Sequence, residues 1–180
     1  MSERGRTRER ILDAFEAILT TEGERAATLD AVAARAEVSK GGLLYHFASK
    51  DALVDGLVER LHALVEQDVG DIRSASSGPI EYLLRTSVSS GTPLERSAMA
   101  CFALAGAQDE RVRAALREMQ DAWLAVVRES VPDPVLARVV SLVSDGLYFN
   151  SVLREGGGSI GREDLDAIVA YVTGLLDDPQ

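Results

Sequence analysis

The sequence predicts an all-α protein of about nine helices, in which a three-helix N-terminal head is followed by a C-terminal helical bundle. Hydrophobic residues make up 46 % of the 180 residues but aromatic residues only 5 %. A composition dominated by Ala, Leu and Val favours helix over strand. Apolar residues mostly recur at spacings of three and four, which is the period of one helix face. The chain has no β-hairpin signal and no long alternating run.

Three helices are predicted within the first 50 residues. The first ends near Gly23, because glycine suits a helix end. Its apolar positions are Ile11, Leu12, Phe15, Ile18 and Leu19. Thr28 can cap the second helix and Ser39 the third, since a hydroxyl oxygen accepts hydrogen bonds from first-turn amides. The third helix ends near Phe47.

A long fourth helix is predicted over residues 49–72, with Ser49 as its cap and Asp51 in its first turn. It connects two predicted domains, a DNA-binding head at residues 1–50 and a ligand-sensing and dimerisation body at residues 51–180. The five helices that follow are bounded by caps and breaks at Pro79, Thr92, Asp109, Asp133 and the Gly-rich segment 156–161.

The net charge of −10 is unevenly distributed along the chain. Lys and Arg balance Asp and Glu at eight each among residues 1–50, so the whole acidic excess lies in residues 51–180. A basic tip at Arg4–Arg10 is equally consistent with a disordered tail and with an arm that reaches an adjacent DNA groove. A neutral head on an acidic body permits DNA binding, and repulsion of the body would orient the protein head-first.

No feature of the sequence indicates a membrane span, a metal site or an enzyme active site. There is no run of about 18 apolar residues, and the charged first ten residues do not resemble a leader, so we expect a cytoplasmic protein. Cys101 has no partner for an internal disulfide, and two histidines with one cysteine, far apart, make no metal site. No nucleophile–base pair is visible, so we expect neither catalysis nor a cofactor.

Residues 28–47 have the plan of a helix-turn-helix, with two short helices joined by a tight turn at residues 36–39. Gly41 and Gly42 lack side chains, so the backbone can approach a partner closely, although each glycine weakens an isolated helix by about 1 kcal/mol. The helix N-terminus at Ser39 would attract a phosphate. Donors for phosphates and base edges are supplied by Lys40, Tyr45, His46 and Lys50.

The segment VSKGGLLYHFASKDAL, residues 38–53, resembles the signature of the TetR family of bacterial transcriptional repressors. The family pattern has Val-Ser, a glycine two residues later, a Tyr-His pair before Phe, and Ser-Lys-Glu-x-Leu at the start of the fourth helix. The matching residues here are Val38, Ser39, Gly41, Tyr45, His46, Phe47, Ser49, Lys50, Asp51 (in place of Glu) and Leu53. The resemblance covers roughly residues 6–65.

The resemblance implies a role for each matching position. DNA phosphates would be held by Thr28, Tyr45, His46 and Lys50, and base edges would be faced by Lys40, Gly42 and Leu44. Leu44 stands where the family usually has an aromatic residue, which favours apolar contact with a thymine methyl group. Glu37 stands where the turn often has glycine, so a positive φ at this position would be mildly strained.

The family also implies a dimer, because its members bind pseudo-palindromic DNA as dimers through their last two long helices. The helices predicted at residues 134–154 and 162–176 have apolar stripes that fit such an interface, although the same stripes fit an ordinary core. A ligand pocket among the central helices would use Met99, Cys101, Phe102, Met119, Trp123, Tyr148 and Phe149. Each of these residues could equally serve packing alone.

The sequence thus predicts a ligand-responsive transcriptional regulator, a repressor that binds double-stranded operator DNA as a homodimer and is released by an unidentified small-molecule effector. Three alternatives stay open. The first is a small helical enzyme, for which the sequence offers no catalytic residues. The second is a helical partner-binding protein, which would show no salt-dependent binding to the DNA flanking its gene. The third is a DNA-binding protein without an effector.

Overall fold

A computed structural model describes residues 2–88, 91–106, 109–153 and 160–177. Within these ranges the chain forms nine α-helices and no β-strand, which confirms the predicted all-α fold. The helices are α1 Glu3–Thr21, α2 Leu29–Arg35, α3 Lys40–His46, α4 Lys50–Ser74, α5 Pro79–Thr86, α6 Pro93–Ala105, α7 Glu110–Ser130, α8 Pro134–Leu153 and α9 Arg162–Asp177. Most of the predicted loop at 156–161, and residue 154 of the predicted helix 134–154, lie outside the described residues.

The predicted capping residues form hydrogen bonds at the N-termini of the helices. The Thr28 hydroxyl accepts a hydrogen bond from the amide of Ala31 at 3.2 Å, and the Ser39 hydroxyl accepts one from the amide of Gly42 at 3.0 Å. Corresponding side-chain-to-amide hydrogen bonds are made by Ser49, Asp109 and Asp133. Each cap satisfies a first-turn amide that has no partner inside its own helix, so these helices begin where the sequence predicts.

The first helix begins at Glu3, before the basic tip. Ser2 caps it by accepting a hydrogen bond from the amide of Gly5 at 3.2 Å, and Glu3 lies in the first turn, where the helix dipole favours an anion. Arg4–Arg10 are therefore helical, and the alternative of a disordered tail is wrong. The signal that would have located this start is the serine cap followed at once by an acidic residue.

Residue contacts divide the chain into two compact units. Unit 1 comprises residues 1–64 and 93–118, and unit 2 comprises residues 65–92 and 119–180. Unit 1 therefore contains α1, α2, α3 and α6 together with the first parts of α4 and α7. The division at residue 50 that the sequence predicts concerns function, and it stays a prediction.

Unit 1 has its apolar core beneath the helix-turn-helix. In it, α1 packs against α6 and α2, and α2 packs against α3. Phe15, Val32 and Leu43 are completely buried, Phe47 is 3 % exposed and Val38 is half-buried, so these side chains close the core beneath the two short helices. Burial of such side chains is the main force that fixes the short helices α2 and α3, because helices of seven residues are not stable alone.

A buried polar cluster also joins α1, α4 and α6 in unit 1. Glu16 is 3 % exposed and accepts a short hydrogen bond from the hydroxyl of Ser97, which is fully buried. Arg60 lies with its Nη1 3.0 Å from Glu16 Oε1, and its Nη2 donates to Asp13 and Glu9. Burial raises the pKa of Glu16. The hydrogen bond from Ser97 opposes that shift, and so do the positive charge and hydrogen bond of Arg60.

Unit 2 is built around α5, which packs against α8 and α9. Its core includes the fully buried side chains of Leu84 and Val140. The indole nitrogen of Trp123 donates a hydrogen bond to Asp68 Oδ2 at 2.8 Å, which satisfies a polar atom that would otherwise be costly to bury. Burial raises the pKa of the Asp68 carboxyl group.

Candidate nucleic-acid interface

The turn between α2 and α3 has a positive φ at Glu37, the position at which the family often has glycine. Glu37 has φ +54°, in the left-handed region, and is the only non-glycine residue with positive φ among those the structure describes. The amide of Val38 closes the turn by donating to the carbonyl oxygen of Ala33 at 3.0 Å. A side chain costs about 1 kcal/mol in this conformation, so the turn bears a mild strain that glycine would relieve.

Helix α3 has one buried face and one exposed face. Leu43 is completely buried and Phe47, at its end, is 3 % exposed. Tyr45 is 68 % exposed and Leu44 40 % exposed, and the first-turn residues Lys40 and Gly41 are also exposed. The buried residues fix the helix, and the exposed ones form a surface that lies open to a partner. We call Lys40, Gly41, Leu44 and Tyr45 the α3 surface.

The two lysines of the candidate site have acidic neighbours. Lys40 Nζ lies 2.9 Å from Asp30 Oδ1, between α3 and α2. Lys50 Nζ donates to the carbonyl oxygen of Glu24 at 2.9 Å and lies 3.5 Å from Glu24 Oε1. Both lysine side chains stay partly exposed, at 58 % and 38 %. Exposed pairs of this kind contribute about 0.2–1 kcal/mol, so a phosphate could replace either carboxylate at low cost.

The start of α1 lies against the end of α3, which the sequence did not predict. The Arg4 guanidinium lies 5.1 Å from the ring centroid of Tyr45, and that of Arg8 lies 5.2 Å from the ring centroid of Phe47. Both distances are within the range of cation–π attraction. The ring of His46 meets that of Tyr45 edge-on at 5.3 Å. The basic tip and the α3 surface are thus continuous.

His46 is less basic than an ordinary histidine. Desolvation lowers its pKa below 6.5, and the positive charges of Arg4 and Arg8 lower it further. The imidazole is therefore neutral at pH 7 in the free protein. A phosphate placed beside it would favour the protonated form, because an opposite charge raises the pKa of a histidine.

The start of α4, which follows α3 directly, is held by an arginine from α7. Arg111 Nη1 lies 2.8 Å from Asp55 Oδ1, and its Nη2 lies 3.0 Å from Asp51 Oδ1 and 2.8 Å from Asp109 Oδ2. Hydrogen bonds to Asp109 and Asp51 raise the pKa of Arg111 further. We call these four residues the Arg111 cluster.

The residues predicted to line a ligand pocket are divided between the two units. Met99, Cys101 and Phe102 belong to α6 in unit 1, and Met119, Trp123, Tyr148 and Phe149 belong to unit 2. Cys101 is completely buried, and burial raises the pKa of its thiol to about 12, so it stays protonated. Phe102 and Phe149 are 37 % and 51 % exposed. The pocket stays a prediction.

Unit 2 contains a cleft of about 400 Å³ and an exposed apolar surface. The cleft is lined by residues that were not predicted to line a pocket, namely Val143, Gly146, Leu147, Asn150, Ile160, Gly161, Asp164 and Ile168. The large exposed apolar side chains of α8 and α9 are Val135, Val139, Leu142, Phe149, Tyr171 and Leu175. We call these six residues the α8–α9 face.

The described ranges contain neither a membrane-spanning helix nor a metal-binding cluster. None of the helices there is both long enough and apolar enough to cross a bilayer. No group of three or more His, Cys, Asp or Glu side chains in the same ranges is placed to hold a metal ion.

A helix-turn-helix with an exposed second helix, followed by a helical body, defines a class of DNA-binding transcription regulators. A family model described as "Bacterial regulatory proteins, tetR family" matches residues 11–57, and one described as "Tetracyclin repressor-like, C-terminal domain" matches residues 79–177, more than half of the chain. The chain belongs to the tetR family of bacterial regulatory proteins. Proteins of this family are generally non-enzymatic regulators that bind DNA, act as dimers and often respond to small-molecule ligands.

Solved structures share the fold. The reduced form of NemR from E. coli is 20 % identical, with a TM-score of 0.73 over 97 % of this chain and 100 % of that one. The tetR-family member SCO1917 from Streptomyces coelicolor is 24 % identical, with a TM-score of 0.69 over 95 % and 98 %. The multidrug binding protein EbrR, complexed with imidazole, is 24 % identical, with a TM-score of 0.61 over 96 % of each chain. No curated protein matches the sequence.

Proposed function

We propose that this protein is a cytoplasmic, ligand-responsive transcriptional repressor that binds a pseudo-palindromic operator as a homodimer. The observation that carries this proposal is the division of α3 into a buried and an exposed face. Leu43 and Phe47 fix the helix in the core of unit 1, and Lys40, Leu44 and Tyr45 are exposed on its surface. A helix held in this way can enter the major groove of DNA.

In the proposed complex, α3 is the recognition helix. Base edges are contacted by Lys40, Gly42 and Leu44, and phosphates are held by Thr28, Ser39, Tyr45, His46 and Lys50. Gly41 and Gly42 allow the backbone to approach the duplex, and an added Cβ at Gly41 would meet nothing within 4 Å in the free protein. The Arg4 guanidinium, stacked on Tyr45, extends the positively charged surface toward the neighbouring phosphates.

The proposed dimer forms through α8 and α9, within residues 134–154 and 162–176. Its support is the α8–α9 face, on which Val135 and Tyr171 are each 71 % exposed and Leu142 is 60 % exposed. Large apolar side chains that recur on adjacent helices mark a protein interface more often than an ordinary solvent-exposed surface. Pairing with a second copy would bury them and set the spacing of the two recognition helices.

An effector would act by binding the non-operator state more tightly than the operator-bound state. EbrR, which shares this fold, is a multidrug binding protein whose structure was determined with imidazole. For this chain we propose a small-molecule effector bound among the central helices, with α4 as the lever that changes the spacing of the recognition helices.

Fluorescence anisotropy with the DNA upstream of the gene tests the DNA-binding part of the proposal. We expect binding that weakens steeply with salt, and a loss of about 10- to 100-fold in affinity for Lys40→Ala. The matched control is Arg128→Ala, an exposed cation on α7, which should bind like the wild type. Absence of salt-dependent binding would favour the partner-binding alternative.

Footprinting of the same DNA with candidate metabolites tests the effector. A metabolite that releases the protein, and that raises its melting temperature in the absence of DNA, would support a ligand-responsive repressor. If operator binding is tight and no metabolite of a broad panel changes it, the alternative of a DNA-binding protein without an effector is favoured.

A further inference from the structure

The exposed apolar residues of α8 form a stripe with a definable centre. Val135, Val139, Leu142 and Phe149 recur at helical spacing and are between 43 % and 71 % exposed. Val135 and Phe149 each lie seven residues from Leu142, which is therefore the midpoint of the stripe. If two copies of α8 pair about a twofold axis, as the proposed homodimer requires, the axis falls near Leu142.

One edge of this stripe carries two opposite charges. Arg138 and Asp145 are seven residues apart, so they lie along the same edge of α8. Arg138 precedes the midpoint of the stripe in the chain and Asp145 follows it. Arg138 is exposed and Asp145 is half-buried, and neither forms a salt bridge with any residue that the structure describes. Burial raises the pKa of Asp145, and the positive charge of Arg138 on the same helix opposes that shift without cancelling it.

The order of these charges selects one arrangement of two α8 helices. In a parallel pair, this edge of one helix would face the opposite edge of its partner, so Arg138 and Asp145 of the two copies would not meet. In an antiparallel pair centred at Leu142, the same edges of both helices meet, and Arg138 comes opposite residue 146 of the partner, one residue from Asp145. Residue 146 is glycine, and an added Cβ there would meet nothing within 4 Å, so the arginine has space.

We propose that Arg138 of each protomer forms an ion pair with the partner's Asp145, and that these two reciprocal pairs set the register of the homodimer and select a second copy of this chain. The inference rests on the homodimer of the proposed function and adds the residues that determine its specificity. Because the interface is symmetric, each residue acts twice, which doubles the effect of any change.

Charge reversal in the full-length protein tests this pairing. Arg138→Asp alone and Asp145→Arg alone each create two repulsive contacts, and we expect each variant to dimerise at least about tenfold more weakly than the wild type. Mixing the two variants restores both attractive pairs, so the heterodimer should form in preference to either homodimer. Native mass spectrometry of an equimolar mixture, after unfolding and refolding together, measures the heterodimer fraction.

The matched control uses the same two changes on α7. Asp121 and Arg128 are also exposed and seven residues apart, so Asp121→Arg mixed with Arg128→Asp should give the half fraction of heterodimer that random pairing produces. The proposal is supported if the heterodimer fraction is well above one half for the mixed α8 variants but not for the mixed α7 variants. A fraction near one half overturns it, as does undiminished dimerisation of both single variants.

A further variant separates this inference from the proposed dimer surface. Leu142→Glu places two carboxylates at the twofold axis and should give a folded monomer, with helical content checked by circular dichroism. If Leu142→Glu remains a dimer, the α8 surface itself is wrong and the proposal falls with it. If Leu142→Glu is a monomer and the α8 variants pair at random, only the Arg138–Asp145 pairing is wrong.

Discussion

The contact between Phe47 and α4 makes Gly56→Ala an informative substitution. Phe47 ends the recognition helix and is 3 % exposed, with Gly56 of α4 directly beneath its ring. A Cβ added at Gly56 would lie 2.6 Å from Phe47 Cε1 and 3.4 Å from the Nη2 of Arg8, which itself lies over the Phe47 ring. Two non-bonded carbon atoms are not found 2.6 Å apart, so either the Phe47 ring or the backbone of α4 would have to move.

Two opposing effects decide whether Gly56→Ala raises or lowers the free energy of unfolding. Replacing a glycine inside a helix by alanine normally stabilises a protein by about 1 kcal/mol. Overpacking a filled core costs about 1–3 kcal/mol, and the ring of Phe47 is only 3 % exposed. We therefore expect Gly56→Ala to lower the free energy of unfolding by about 1 kcal/mol, and to weaken DNA binding, since Phe47 must move together with the end of α3.

Gly70→Ala is the matched control in the same helix. Gly70 is exposed, and an added Cβ would meet nothing within 4 Å, so this variant should gain about 0.5–1 kcal/mol and bind DNA normally. Urea unfolding at one fixed protein concentration measures both variants, because a dimer's stability depends on concentration. If Gly56→Ala proves as stable as Gly70→Ala, the close packing of Phe47 on α4 is incorrect.

Three further predictions concern the recognition helix. Gly41→Ala should raise the free energy of unfolding by about 0.5–1 kcal/mol while operator affinity falls at least about tenfold; unchanged affinity would exclude close backbone approach. Asp30→Asn removes the carboxylate paired with Lys40, so anisotropy at low salt should show DNA affinity higher by about twofold to fivefold, and a decrease would argue against contact by this lysine. Desolvation and the charges of Arg4 and Arg8 lower the pKa of His46 in the free protein, and a bound phosphate would raise it, so wild-type affinity should increase as pH falls through the range in which His46 becomes protonated. His46→Gln should lose this increase; equal pH profiles for variant and wild type would place His46 away from the phosphates.

Local signals explain what the sequence could predict of the candidate site. The caps at Thr28 and Ser39 act on amides three residues away. The exposure of Tyr45 follows from the burial of Leu43 and Phe47, because the helical period places them on different faces. Each of these inferences needs only a few neighbouring residues.

Contacts between distant segments could not be predicted in this way. Glu16 lies four residues after Leu12 and three before Leu19, so its place on the buried face of α1 was visible in the sequence. Its partner Ser97 is 81 residues away, and no local pattern joins the two. The stacking of Arg4 on Tyr45 was missed for the same reason, since it depends on where α1 begins and how it crosses α3.

Apolar stripes also leave open which surface a residue faces. Phe149 was selected as a pocket residue because it is large, yet it is 51 % exposed on α8. A period of three to four residues identifies a buried face but does not distinguish a core from an interface with another chain. The exposure of the α8–α9 face shows that these six residues are not part of the core of a single chain, and that exposure is available only from the three-dimensional structure.

Two sets of ion pairs hold α4 within unit 1, those of Arg60 and those of Arg111, and they differ in the free energy needed to separate them. Arg60 is 16 % exposed and its partner Glu16 is almost fully buried, so Arg60→Ala leaves a carboxylate uncompensated and should destabilise the protein by about 3–5 kcal/mol. Arg111 is 43 % exposed, and water can replace its three carboxylates, so Arg111→Ala should cost less than about 1 kcal/mol.

A movement of α4 that repositions the recognition helix should therefore keep the Glu16–Arg60 contact as its pivot and separate the Arg111 cluster. Arg111→Ala should then change operator affinity by several-fold while urea unfolding stays near that of the wild type. The control is Arg117→Ala, on the same helix, whose only recorded partner in the described structure is Glu110, also on α7. Equal operator affinities for the two variants would mean that the start of α4 is fixed by apolar packing alone, since the loss of its charged contacts would then leave the recognition helix where it was.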